Sequence, residues 1–101
     1  MNVKSNQLFR IPDDYTFDIF FIKFNHILDI KEIKSINIFL GDDIIKTLSK
    51  EETFKILESD SEKFFLKICM DDLIKNIEKN NISILVMSDT NIDYIISFYE
   101  N

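Results

Sequence analysis

Apolar positions along this chain fall into two rhythms, one of three and four residues and one of short unbroken runs. Phe17, Phe20, Phe21, Phe24, Ile27 and Leu28 recur at helical spacing, with Asp18, Asn25 and Asp29 on the opposite side. Pro12 followed by Asp13-Asp14 is a suitable helix entrance, because proline fits the first turn and acids favour the positive end of the dipole. A helix is therefore expected here. The dense aromatic and β-branched content makes a strand over 16–24 the competing reading.

Beyond it the pattern alternates. The run 34–40 (KSINIFL) is short, apolar and followed by the only glycine, which predicts a strand and a turn. Ser49-Lys50-Glu51-Glu52 has capping-box spacing and opens a helix carrying Phe54, Ile56 and Leu57. The run 64–69 (FFLKIC) reads as a strand, with Lys67 suggesting an edge. From Met70 the period turns helical through Leu73, Ile74 and Ile77, with Lys75 and Lys79 near its end and Asn80-Asn81 suited to a left-handed cap. The run 82–87 (ISILVM) is apolar at nearly every position, as in a central strand buried on both faces. Ile92, Ile95, Ile96 and Tyr99 then mark a last helix from Thr90. Strands separated by helices imply parallel pairing. The expected fold class is thus α/β: a small sandwich with an N-terminal helix, then three strand–helix units on a predominantly parallel sheet. The alternative is α+β with an N-terminal hairpin joining 17–24 to 34–40. Residues 1–101 read as a single domain, with 1–11 a polar arm.

Composition narrows the chemistry. Among 101 residues, 18 Asp and Glu outnumber 12 Lys and Arg, giving a formal charge of −6, while His, Cys, Gly and Pro each occur once. A single glycine excludes Gly-rich phosphate loops, and no G-x-S-x-G, H-E-x-x-H or C-x-x-C motif exists. Cys69 ends a strand before a helix, a setting that can lower a thiol pKa, but its only possible imidazole partner is His26 on the N-terminal helix. A small buried hydrophobe is the plainer account of Cys69, and an exposed pair with Asp29 that of His26. The lysines are dispersed among acids and there is one arginine, so nucleic-acid binding is disfavoured. No apolar stretch reaches the ~20 residues that span a bilayer, and residues 1–14 lack the apolar core of a signal peptide. A cytoplasmic protein is expected, a monomer or weak homodimer, without cofactor.

The acids themselves are the remaining signal. In an open parallel sheet Asp42-Asp43, Asp71-Asp72 and Asp89 would share the carboxyl edge, where Mg²⁺ could support a phosphate-handling enzyme. Helix capping explains the same residues generically, so no metal ligands are assigned. The sharper reading is an electrostatic face for a basic protein, since a positive nuclease groove steers an acidic partner onto itself. The chain is accordingly read as a small protein-binding inhibitor, an immunity protein or antitoxin that neutralises a basic toxin such as a nuclease. Glu51, Glu52, Glu58, Asp60, Glu62, Asp71 and Asp72 are its expected contact residues, being the densest acids with few interleaved bases. An inhibitor that mimics nucleic acid would use the acid doublets equally well.

Overall fold

The computed structural model describes residues 1–60, 63–73 and 81–100. In chain order the elements are β1 (Asn2–Lys4), β2 (Phe9–Arg10), β3 (Ile19–Phe24), α1 (Ile27–Lys31), β4 (Ile33–Leu40) and β5 (Asp43–Ser49), then α2 (Lys50–Ile56), β6 (Glu58–Asp60), β7 (Lys63–Cys69), α3 (Met70–Leu73), β8 (Ile82–Ser88) and β9 (Asp93–Tyr99). They form two sheets with the orders β1-β9-β3-β7-β6 and β2-β8-β4-β5. Every pairing is antiparallel.

The parallel α/β expectation is therefore wrong, and the reason is the length of the helices. A crossover between parallel neighbours needs a dozen or more residues. α1 and α2 have five and seven residues, and each carries the chain from one sheet to the other and not back over the same one. The alternative class, α+β, is closer to this architecture, but its N-terminal hairpin is not formed: β3 pairs with β7 and β9, while β4 lies in the other sheet against β5 and β8.

The expected N-terminal helix is instead β3, whose burial alternates strictly, with Phe20, Ile22 and Phe24 inward. The expected last helix is β9, with Tyr94 and Ile96 buried and Phe98 packed against the same core. Both segments contain apolar doublets (Phe20-Phe21, Ile95-Ile96) that satisfy a period of 3.6 and a period of 2 at once. β-Branched and aromatic side chains favour the pleated surface, and pairing β3 with β9 over 19–23 realises that preference. The expected polar arm at 1–11 supplies two edge strands, β1 against β9 and β2 against β8. Helix from Met70 is found as α3; the residues expected to continue it, Ile74 to Asn80, lie outside the described ones. The strands expected at 34–40, 64–69 and 82–87 are present as β4, β7 and β8, and β8 is internal to its sheet.

The inward faces of both sheets meet in one core that contains Phe20, Ile22, Phe24 and Leu66 from one side and Ile36, Ile38, Ile84 and Val86 from the other. A polar clamp closes one end. Ser5 accepts from the Ile92 amide at 2.9 Å and shares a 2.7 Å hydrogen bond with the Ser88 hydroxyl. Ser88 also lies 2.5 Å from the Thr90 carbonyl. Each hydroxyl has one proton, so Ser88 donates to Thr90 when Ser5 donates to Ser88. Asn6, held at φ 61, accepts from the Ser88 amide at 2.9 Å and so fixes the β1–β2 connection to the end of β8.

Candidate protein-binding face

The outer face of the four-stranded sheet is where exposed apolar groups and acid meet. Register sets its composition. Because Ile36, Ile38 and Leu40 oppose Val86, Ile84 and Ile82 inside, Asn37 and Phe39 fall outside with Leu85 and Ser83. Ile44 lies opposite Phe39 across β4–β5, and Met87 opposite Ser35. Ile44 is 58% exposed and Met87 42%, while Leu8, just before β2, is 62% exposed. Between them sits a polar centre. The Asn37 amide donates to Ser35 Oγ (3.1 Å) and Leu85 O (3.4 Å), and its Oδ1 accepts from Thr47 (3.0 Å). With its donors and acceptor used internally, Asn37 presents a fixed surface instead of one that must shed water to be covered.

Carboxylates border this face at its hairpin end. Leu40 pairs with Asp43, which leaves Gly41-Asp42 as a two-residue loop. Gly41 takes φ 62 at the first loop position, the placement that glycine permits in a II′ hairpin. The Gly41 amide donates to Asn81 O at 2.9 Å, and the Asn81 amide donates to Asp13 Oδ1 at 3.0 Å. These two bonds draw the doublets Asp13-Asp14 and Asp42-Asp43 to one end of the sandwich. All four are exposed. Arg10, on the outer side of β2, pairs with Asp13 at 2.9 Å.

The contact residues expected from the sequence are distributed differently. Glu51 and Glu52 stand exposed in the first turn of α2, where the Ser49 side chain accepts from the Glu52 amide at 3.2 Å. Glu58 is exposed on β6 and Asp71 on α3. Glu58 lies opposite Phe65 and Asp71 lies two residues past Cys69, so four strand positions of β7, roughly 13 Å, separate the two acids before α3 begins. Glu62 lies outside the described residues, and of Asp60 and Asp72 only the backbone is described. Lys55 and Lys67 fall between the acids, so the set does not make one patch. What sequence reasoning missed was the joining of 13–14 with 42–43. Its signal was present as Gly41-Asp42 after an apolar run, but β5 had not been foreseen.

The shared carboxyl edge is also overturned, because it required a parallel sheet. Asp42-Asp43 and Asp89 belong to opposite ends of the β4–β8 pair, Asp71-Asp72 follow a strand of the other sheet, and Asp89 binds Lys34 at 3.2 Å. Among the described residues no group of three or more His, Cys, Asp or Glu could hold a metal ion. Cys69 pairs with Ile19 at one end of β3, and His26 caps α1 beyond the other end, so the thiol and imidazole are not neighbours. No described helix is long and apolar enough to cross a membrane. Compared with family models, with curated proteins and with solved structures, the chain matches none.

Proposed function

We propose that this chain is a protein-binding domain that captures a basic protein on the outer face of its four-stranded sheet, and that it acts in the cytoplasm as an immunity protein or antitoxin against a basic toxin such as a nuclease. The observation that carries this reading is one sheet face with exposed apolar groups along its length (Leu8, Ile44, Met87) and four carboxylates at the end next to Ile44. Apolar groups surrounded by charge are the usual make-up of a partner surface: the apolar part supplies affinity, and the charged border sets the partner and the encounter rate. A net charge of −6 adds long-range attraction toward a positive partner. The free chain is proposed to be a monomer or weak homodimer.

The test is inhibition and binding of any basic protein that a neighbouring gene encodes, with unrelated basic nucleases as controls. The reading expects a 1:1 complex that silences the toxin. Ile44→Glu with Met87→Glu should break the complex while leaving the melting temperature near that of the parent. A neighbour that is neither bound nor inhibited, or a complex indifferent to both substitutions, would remove the support.

A further inference from the structure

A second surface carries the opposite charge. On the flank of the sandwich, β5, α2 and the end of β7 enclose a groove of about 270 Å³. Leu48, Ile56 and Ile68 give it an apolar lining, and Lys46, Lys55 and Lys67 stand around it with Glu52 as the one acid. The local balance is +2 in a chain whose total is −6. Lys46 shares the core-facing side of β5 with Leu48, since the two oppose Ile38 and Ile36. Its methylene stem therefore runs along the apolar lining while the ammonium reaches solvent.

Two strand edges lie along the same groove. Among the described strands, β5 pairs only with β4 and β6 covers β7 only at 63–65, so within them 66–69 has no partner strand on that side. Edge strands carry unpaired N–H and C=O groups in a row, a ready template for another extended chain. The volume is just below the ~300 Å³ where small-molecule sites begin, so it suits a side chain or two and not a cofactor.

We infer that this groove binds an extended acidic peptide segment, whose backbone pairs with an exposed edge, whose apolar side chain enters the lining, and whose carboxylates meet Lys46, Lys55 and Lys67. Charge selects the occupant. Elsewhere the acid surplus repels such a segment, so the site and the long-range field discriminate in opposite senses, and binding tightens as salt screens the field beyond a Debye length of ~8 Å before it weakens the close pairs. The inference is independent of the proposed capture of a basic protein, which uses the other flank of β5's sheet.

The probe is a fluorescein-labelled capped heptapeptide, Glu-Val-Asp-Leu-Glu-Val-Asp, titrated against the full chain by polarisation and by amide NMR. Expected are saturable binding and shifts confined to 45–48, 55–56 and 66–69. Lys46→Glu with Lys67→Glu should weaken binding about tenfold or more, by lost pairing and added repulsion, with the melting temperature preserved. A peptide N-methylated at alternate amides should weaken comparably, because it cannot add as a strand. Asp42→Asn with Asp43→Asn, outside the groove, should not weaken the groove's affinity and at low salt should tighten it slightly as the repelling field falls. The inference is overturned if a peptide with Lys in place of each acid binds equally well, if hexanoate displaces the peptide at equal concentration, or if the shifts fall outside the groove.

Discussion

Tyr94→Phe should stabilise this protein. Tyr94 lies on the inward face of β9, opposite Val3, with none of its surface exposed and its ring 6.4 Å from that of Phe24. Its hydroxyl is buried and has no hydrogen-bond partner among the described residues. An unsatisfied buried donor costs about 1–3 kcal/mol, because the unfolded chain lets water bind it. Removing one oxygen leaves a void smaller than a methyl group and should recover about 1 kcal/mol net, or roughly 4–8 °C in melting temperature for a domain of this size. Alkali offers a second readout. Burial pushes the Tyr94 phenol from 10 up to about 12. Between those values the unfolded chain has released this proton and the folded chain retains it, so stability falls as pH rises through that window and is unaffected below it. At about 1.4 kcal/mol per pH unit, the loss attributable to Tyr94 approaches 3 kcal/mol by pH 12, and it should be missing from the phenylalanine variant. Urea melts of both proteins at pH 7, 10 and 11.5 measure both effects. A variant less stable at pH 7 would mean that the hydroxyl has a partner, and parallel loss of stability above pH 10 would mean that burial does not hold the phenol protonated; either result refutes the reasoning.

Two further expectations concern the backbone. Ser5→Ala removes the acceptor of the Ile92 amide and one side of the Ser88 pair, both buried, and should cost about 1–3 kcal/mol in denaturant melts. A loss under a few tenths would mean the clamp is not formed in solution. Gly41→Ala places a side chain at φ 62 and should cost about 1 kcal/mol or more through backbone strain, since the new Cβ would meet only ordinary contact with Asn81 at 3.4 Å. A neutral effect would show that the hairpin loop is not the one described.

The sequence was most legible where an apolar run had a single explanation. β4, β7 and β8 are short, rich in β-branched and aromatic residues, and bounded by turns or helix starts, and the Ser49 cap announced itself through Glu52. Asn81, in the pair expected to end a helix with a left-handed residue, has φ 59. β3 and β9 were misread because Ile and Phe occupy adjacent positions, so one list of residues fits a helical stripe and two strand faces alike. Choosing between them needs the partner strand, which lies more than 70 residues away in β3–β9. β1 and β2 carry almost no apolar signal, since edge strands of two or three residues exist by long-range pairing alone. The candidate face was invisible for the same reason. Its carboxylates are separated by almost 30 positions in the chain and are joined by hydrogen bonds through Asn81, a residue of neither doublet.

The central claim, capture of a basic protein on the outer face of the four-stranded sheet, is tested most directly by a methyl NMR footprint of the complex. Leu8, Ile44, Leu85 and Met87 should shift or broaden on adding the partner, and Asp13→Asn, Asp14→Asn, Asp42→Asn and Asp43→Asn combined should slow association at low salt while leaving the footprint in place. Perturbation of Ile19 and Ile95 on the outer face of the five-stranded sheet, with Ile44 and Met87 unchanged, would contradict the account.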